Sequence, residues 1–155
     1  VLSQCEMCLK GRDNLCAGGV PQIAFDGNNG GFSEYLRIDS RWAIPIPDNI
    51  PSDKAAPLFC AGVTVFSPLL EYDLPPGTKV ALIGFGGLGH LFVKMAAQMG
   101  LEVTVISSSG DKEADVFKMG AVKFLDENSK DELKGAEERF DFVVNTSYHN
   151  PDWGQ

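Results

Sequence analysis

The sequence predicts an α/β protein in which a parallel sheet, incomplete at four strands, follows an irregular, β-containing segment. After Pro75-Pro76-Gly77, short apolar runs alternate with stretches of helical period, which is typical of parallel strands joined by right-handed crossovers. Before that point Gly and Pro repeatedly interrupt the chain. The 155 residues are 44% hydrophobic and include 10 Phe, enough for a core and unlike a disordered chain. We therefore expect two partial domains, residues 1–50 and 51–155.

The first part of the chain offers few regular elements. Phe32 to Ile38 predicts a short strand. Ser52 to Leu70 carries an apolar stripe of helical period, with Ser52 or Asp53 as its N-cap. Pro57 predicts a break one turn into that helix, because proline lacks the N–H that the helix needs.

The second part of the chain has clearer periodicity. Each predicted strand is a short apolar run, and glycines at positions 100 and 120 stop the first two helices. The predicted strands are Lys79–Ile83, Val103–Ile106, Val122–Leu125 and Phe140–Val144, and the helices between them are Leu88–Met99, Asp111–Met119 and Ser129–Arg139.

Charge and hydropathy exclude several classes of function. The formal net charge is −8, from 13 basic and 21 acidic residues, so we expect no nucleic-acid partner. No run of about 18 apolar residues predicts a membrane span. Val1 to Cys5 form neither a basic nor an apolar leader, which predicts a cytoplasmic protein. The chain begins without Met, and we expect it to be the interior of a longer polypeptide.

Gly84-Phe85-Gly86-Gly87-Leu88-Gly89 satisfies the pattern G-x-G-x-x-G, directly after a predicted strand and at the start of a predicted helix. That context is typical of a Rossmann-type dinucleotide site. Gly84 would allow a tight turn, Gly86 the approach of a pyrophosphate, and Gly89 close packing of helix on strand. The free N–H groups of the helix would bind the anion. The alternative is a glycine turn that only packs.

The end of the second strand predicts which dinucleotide binds. NAD sites place Asp or Glu there, whereas this chain has the segment from Ser107 through Ser108 to Lys112. Hydroxyls and an ammonium can hold a 2′-phosphate, so we predict NADP(H). Against this, Asp111 and Glu113 flank the lysine, and serines are also common in ordinary loops.

Three of the four cysteines are closely spaced. Cys5, Cys8 and Cys16 read C-x2-C-x7-C, which suits a structural zinc with four N/S ligands, although only three are visible. Glu6 or Asp13 could complete the set, and the alternative is three free thiols. Cys60 stands alone on an apolar helix face, where spacing favours a small core residue. His90 and His149 show no catalytic pattern.

Five motifs together resemble one family. They are the cysteine spacing, Gly30-Gly31-Phe32-Ser33-Glu34-Tyr35, Ile46-Pro47-Asp48-Asn49-Ile50, Ala56-Pro57-Leu58-Phe59-Cys60-Ala61-Gly62-Val63-Thr64, and Gly84 to His90. The chain resembles the medium-chain, zinc-dependent alcohol dehydrogenases, most closely the cinnamyl-alcohol-dehydrogenase-like NADPH-dependent aldehyde reductases. The resemblance implies part of a GroES-like catalytic domain followed by part of an NADP-binding domain.

The resemblance also implies roles for particular residues, and it reverses the core interpretation of Cys60. By this resemblance, Cys60 is a ligand of the catalytic zinc and Thr64 contacts the nicotinamide, while Cys5, Cys8 and Cys16 belong to the structural-zinc loop. The cofactor's 2′-phosphate is contacted by Ser107, Ser108 and Lys112, and Thr146 borders the cofactor. The pyrophosphate is bound by the loop of Gly84, Gly86, Gly87, Leu88 and Gly89.

Two departures from the family bear on activity. The family has a further cysteine three residues before Cys5, where this chain has Leu2. The family's other catalytic-zinc ligands lie upstream of Val1, and its last sheet strands lie downstream of this chain. We therefore expect this chain alone to be inactive.

The resemblance implies an enzyme that reduces aldehydes to primary alcohols with NADPH and zinc, with a homodimeric parent protein. The alternatives are a catalytically incompetent nucleotide-binding module and a metal-free quinone reductase of the same superfamily.

Overall fold

A computed structural model describes residues 4–19, 33–38 and 40–148. The chain divides into two compact units, Val1–Pro45 and Ile46–Gln155. The longest helix in the described residues has 12 residues, and none is long and apolar enough to cross a bilayer.

The amino-terminal unit is built from single helical turns. Helix α1 spans Glu6–Leu9, and 3-10 turns span Asp13–Leu15 and Ser40–Trp42. The predicted strand from Phe32 to Ile38 is wrong over residues 33–38, which form no ladder; Phe32 lies outside the described residues. The Ser33 hydroxyl donates to the Tyr35 carbonyl at 2.8 Å, so a local turn uses an acceptor that a strand partner would need.

The carboxyl-terminal unit contains the predicted parallel sheet. Its strands are β1 (Lys79–Ile83), β2 (Glu102–Ser107), β3 (Lys123–Asp126) and β4 (Phe142–Asn145). All neighbours pair in parallel, in the order β3-β2-β1-β4. The chain therefore reverses its direction of winding at β1, where ligands bind in open α/β sheets.

Helices precede and connect these strands. Helix α2 (Ser52–Ala55) passes through a 3-10 turn (Ala56–Phe59) into α3 (Ala61–Glu71), so the break predicted at Pro57 is confirmed. The predicted cap by Ser52 or Asp53 is wrong, because Pro51 is the N-cap and Ser52 already lies in the helix. The sheet helices are α4 (Gly87–Gln98), α5 (Glu113–Lys118) and α6 (Lys130–Lys134).

Glycines end the first two sheet helices as predicted. Gly100 has φ +81°; its N–H donates to Ala97 at 3.0 Å, and the N–H of Leu101 donates to Ala96 at 3.1 Å. This Schellman arrangement satisfies carbonyls that the helix leaves free. Helix α6 is shorter than predicted, because it ends before Gly135 instead of at Arg139.

The core lies between β1, β2 and α4. Val80 and Leu82 of β1, Val103 and Val105 of β2, and Phe92 of α4 are fully buried. Each such side chain contributes about 1.5–3 kcal/mol of hydrophobic stabilisation. These contacts fix the carboxyl end of β1, and with it the loop that leads into α4.

Candidate functional site

The glycine loop begins with a turn that only glycine adopts easily. Gly84 has φ +88°, and its N–H donates to the Ile106 carbonyl at 2.9 Å. A Cβ on Gly84 would lie 2.8 Å from both the N and Cα of Ser147. The residue therefore needs glycine twice, for its backbone conformation and for the approach of another backbone segment.

The helix that follows packs against the loop at Gly89. A Cβ on Gly89 would lie 2.4 Å from the Gly84 carbonyl oxygen and 3.2 Å from the Thr146 hydroxyl oxygen. Leu88 packs its side chain against the core, which leaves only its backbone to face a ligand. The geometry thus brings the first and last glycines of the motif into contact.

The two middle glycines border open space. A Cβ on Gly86 or on Gly87 would meet no atom within 4 Å. Gly86 is the N-cap of the 12-residue helix α4, whose first N–H groups have no intrahelical partner. Open space, free donors and the positive end of the helix dipole together fit a diphosphate.

Two further residues contact the backbone of this loop. The Thr146 hydroxyl donates to the Gly84 carbonyl at 2.9 Å, and the Thr146 N–H donates to Ile83 at 2.9 Å. The half-buried His90 ring places Nδ1 3.3 Å from the Gly86 carbonyl oxygen. His149 lies outside the described residues.

The segment from Ser107 to Lys112 forms a closed turn at the end of β2. The buried Ser107 hydroxyl accepts the Ser109 N–H at 3.2 Å, and the Lys112 N–H donates to the Ser109 carbonyl at 3.1 Å. Ser108 and Lys112 are exposed. No salt bridge joins Lys112 to another described residue, so Asp111 does not occupy its ammonium.

A carboxylate of the neighbouring strand β3 also lies beside this turn. Asp126 ends β3 in register with Ser107. Its Oδ1 accepts the Asn128 backbone N–H at 2.9 Å and the side-chain amide at 3.0 Å. The charge of Asp126 therefore opposes an anion near Ser107, while its hydrogen bonds hold one oxygen toward the following turn.

The three amino-terminal cysteines form a cluster. Helix α1 brings Cys5 and Cys8 together, and the turn ending at Leu15 returns Cys16 to them. The Cys5 Sγ lies 3.5 Å from that of Cys8 and 3.9 Å from that of Cys16, and all three sulfurs lie within 4.8 Å of one another. Tetrahedral zinc–thiolate bonds would separate sulfurs by about 3.8 Å, so the cluster fits zinc.

The cluster stands at three ligands among the described residues. Glu6, one of the proposed substitutes, binds Lys10 at 2.6 Å, and neither Glu6 nor Asp13 belongs to the group of clustered donors. Backbone hydrogen bonds from Cys8 and Ala17 lower the pKa of the Cys5 thiol from 9.0 to about 6. At neutral pH Cys5 is therefore a thiolate, the form that binds metal.

Cys60 is exposed, so the core position that its spacing favours is wrong. Helix α2 ends at Ala55, and the 3-10 turn that contains Pro57 follows it, which places Cys60 at the N-cap of α3 instead of on a continuous apolar helix face. The Thr64 N–H donates to the Cys60 carbonyl at 3.0 Å, and Thr64 is also exposed. Cys60 and Thr64 lie one helical turn apart, so a ligand could reach both.

Sequence reasoning did not identify Asn145 and Ser147, the two neighbours of Thr146, as part of this site. The Ser147 backbone closes against Gly84, and the Asn145 side-chain oxygen accepts the Ser147 N–H at 2.8 Å. The small polar residues after β4 were the only pattern that could have indicated this contact. Nothing in their spacing relates them to a loop about 60 positions earlier.

A cavity of about 750 Å³ lies at the other end of the sheet. It is lined by Lys79, Glu102 and Lys123, which begin β1, β2 and β3. Ligands of open α/β sheets bind at the carboxyl ends of the strands, so this cavity is not the candidate cofactor site.

Comparison with known proteins shows which families this chain resembles. Residues 1–48 match the alcohol dehydrogenase GroES-like domain. Over 149 residues the chain is 41% identical to an aldehyde reductase from Synechocystis sp., covering 96% of this chain and 44% of that protein. The chain thus spans less than half the length of this curated relative.

Solved structures of related enzymes are also similar to this chain. A cinnamyl alcohol dehydrogenase from Sorghum bicolor matches with a TM-score of 0.87 and 36% identity, over 96% of this chain and 45% of the other. The structure of CAD from Helicobacter pylori complexed with NADP(H) matches with a TM-score of 0.80 and 34% identity, over 94% of this chain and 43% of the other.

Proposed function

We propose that the parent protein of this chain reduces aldehydes to primary alcohols, reversibly, with NADPH and a catalytic zinc ion, because the chain matches an alcohol dehydrogenase GroES-like domain and is similar to an aldehyde reductase and to a cinnamyl alcohol dehydrogenase. The observation that carries this proposal is the junction of two features at the carboxyl ends of β1 and β2. One is the open glycine loop at the start of α4, and the other is the turn after β2, whose Lys112 forms no salt bridge with any residue that the structure describes.

The glycine loop would bind the diphosphate of the cofactor. Gly86 and Gly87 leave space for it, and the free N–H groups at the start of α4, including that of Leu88, would donate to its oxygens. Gly84 and Gly89 would act indirectly. Because they lack side chains, the loop can fold tightly enough to present those N–H donors to the ligand.

The turn after β2 would distinguish NADPH from NADH. Lys112 supplies a positive charge, and the exposed Ser108 hydroxyl and the remaining Ser107 hydroxyl proton supply hydrogen bonds. The chain carries a net charge of −8, so binding of a phosphate depends on such local donors and not on the overall field. A carboxylate at Ser107 would instead repel the 2′-phosphate.

Cys60 and Thr64 would serve the reacting end of the substrate and cofactor. Cys60 is exposed and can offer a thiolate to a metal, while Thr64 lies one turn further along α3, where the nicotinamide would rest. Bound zinc would supply Lewis acidity to the aldehyde oxygen, and bound NADPH would supply hydride. The cluster of Cys5, Cys8 and Cys16 would hold a separate, structural zinc.

Substitution of the lysine tests the cofactor assignment. We expect Lys112→Gln to raise the Kd for NADPH about tenfold and to leave that for NADH within about twofold, because only NADPH carries the phosphate. Lys118→Gln is the matched control, since Lys118 lies on the following helix and pairs with Asp115 at 3.1 Å. Equal effects of the two substitutions, or equal loss of both cofactors, would contradict the assignment.

Turnover tests the chemistry. The intact parent protein is incubated with NADPH and a panel of aldehydes, before and after zinc chelation, and NADPH oxidation is followed by absorbance. Zinc-dependent oxidation supports the proposal. Its absence, with NADPH still bound, favours a nucleotide-binding module without activity, a candidate motivated by the single catalytic-zinc ligand expected within this chain. Zinc-independent reduction of quinones would favour a quinone reductase, which the cysteine cluster opposes.

A further inference from the structure

We propose that Thr146 is a positioning residue of the glycine loop: its hydroxyl holds the Gly84 carbonyl in a notch against Gly89, which fixes the loop for cofactor binding. The functional part of this inference rests on the NADPH binding proposed above. The resemblance implied a residue at the cofactor border. The geometry points instead to action through the loop.

The hydroxyl of Thr146 is committed to the loop. It carries one proton, and its oxygen lies 2.9 Å from the Gly84 carbonyl oxygen and 3.3 Å from that of Ile83. The Ile83 carbonyl already accepts the Thr146 backbone N–H at 2.9 Å. The contact to Gly84 is the shorter one, and no backbone N–H of the described residues donates to the Gly84 carbonyl, so we assign the hydroxyl proton to Gly84.

The backbone of β4 determines where that hydroxyl lies. Ile83 and Asn145 are partners in the parallel ladder, and the Thr146 N–H continues the ladder by one bond. The Asn145 side chain then turns the backbone at Ser147, which closes against Gly84. Thr146 is thus held on both sides by contacts that do not involve a ligand.

The Gly84 carbonyl occupies the space beside Gly89. A Cβ on Gly89 would come within 2.4 Å of its oxygen, so the absence of a side chain there creates the space that the carbonyl occupies. A trans peptide is planar, and its C=O and N–H point in opposite directions. Anchoring the Gly84 carbonyl to Thr146 therefore turns the Phe85 N–H away from Thr146 and sets the path of the chain into Gly86.

Three substitutions at this position separate the hydroxyl from the shape of the side chain. Thr146→Ser keeps the hydroxyl, whereas Thr146→Val and Thr146→Ala remove it in two different sizes. Thr78→Val is the matched control, because the half-buried Thr78 hydroxyl likewise donates to a backbone carbonyl, that of Pro75 at 2.6 Å. That bond lies before β1, at the opposite end of the sheet.

Two measurements are made on each variant. NADPH affinity is measured by fluorescence titration, and hydrogen exchange of the Gly84 amide, which donates to Ile106 at 2.9 Å, is measured without cofactor. We expect both hydroxyl-free variants to raise the Kd for NADPH and the Gly84 exchange rate about tenfold. Thr146→Ser and Thr78→Val are expected to stay within about twofold of the wild type in both.

The outcomes distinguish the two proposals. Gly84 exchange and NADPH affinity in Thr146→Val and Thr146→Ala that match those of Thr78→Val would overturn the role of Thr146. A wild-type protein that binds no NADPH would overturn the proposed function, while exchange of the Gly84 amide would still decide whether Thr146 holds the loop. Failure of Thr146→Ser to restore wild-type exchange would also count against the hydroxyl.

Discussion

Substitution of Gly84 by alanine tests the geometry of the glycine loop most directly. The new Cβ would lie 2.8 Å from the Ser147 N and Cα. Both are backbone atoms, so no side-chain rotation can relieve the clash. Overpacking of this kind costs about 1–3 kcal/mol. The φ of +88° adds about 1–2 kcal/mol for an L-residue. Loss of unfolded-state entropy returns about 0.4–1 kcal/mol.

The expected net loss for Gly84→Ala is therefore about 1–5 kcal/mol in the free energy of unfolding. The matched control is Gly86→Ala, because Gly86 has φ −110° and no atom within 4 Å of an added Cβ. We expect Gly86→Ala to change the free energy of unfolding by less than about 1 kcal/mol. Its methyl group would instead occupy the diphosphate space and raise the Kd for NADPH at least about tenfold.

Urea denaturation followed by circular dichroism measures the first quantity, and fluorescence titration with NADPH measures the second. Gly84→Ala with wild-type stability would refute the contact between the loop and Ser147. Gly86→Ala that destabilises as strongly as Gly84→Ala would refute the distinction between a packed and an open glycine.

Three further predictions follow from the candidate sites. Cys60→Ser should abolish zinc-dependent aldehyde reduction while the Kd for NADPH stays within about twofold, and retained turnover would exclude Cys60 as a ligand. Asp126→Asn should lower the Kd for NADPH, but not that for NADH, by about threefold, because it removes the repulsion between two like charges a few ångströms apart in water. Asp131→Asn, on α6, is the control. An unchanged Kd for NADPH in Asp126→Asn would place the 2′-phosphate elsewhere. In metal-free protein, alkylation of Cys5 by iodoacetamide should rise with pH through a midpoint at about 6, since the lowered pKa keeps the thiolate populated above that pH. Peptide mass spectrometry measures the rate, and a midpoint near 9.0, the ordinary thiol value, would contradict the hydrogen bonds to Cys5.

Local patterns predicted the carboxyl-terminal unit well. The buried run from Val80 to Leu82 forms β1, and the helix that follows ends before Gly100 as predicted. Both follow from properties of neighbouring residues, namely the burial of a continuous apolar run and the conformational freedom of glycine. The amino-terminal unit was harder to predict from the sequence. There the Ser33 hydroxyl forms a local hydrogen bond to the Tyr35 carbonyl, which competes with strand pairing, and the hydrophobic pattern contains no sign of that bond.

The candidate sites divide in the same way. The spacing of Cys5, Cys8 and Cys16 predicted a cluster, and the sulfurs do lie together. The spacing around Cys60 predicted burial, and the residue is exposed, because the break at Pro57 changes which face it occupies. The cofactor and metal roles of these residues remain predictions.

Sequence alone determined the alternation of strands and helices, the position of the glycine loop and the spacing of the thiols, since each depends on residues within a few positions of one another. Tertiary structure alone decided that Thr146 and Ser147 enclose Gly84 and that Lys112 forms no salt bridge within the described part of the chain. The physical reason is that contacts between residues about 60 positions apart depend on strand order and register. Those are set by how the whole sheet buries its apolar faces, and no short stretch of sequence contains that information.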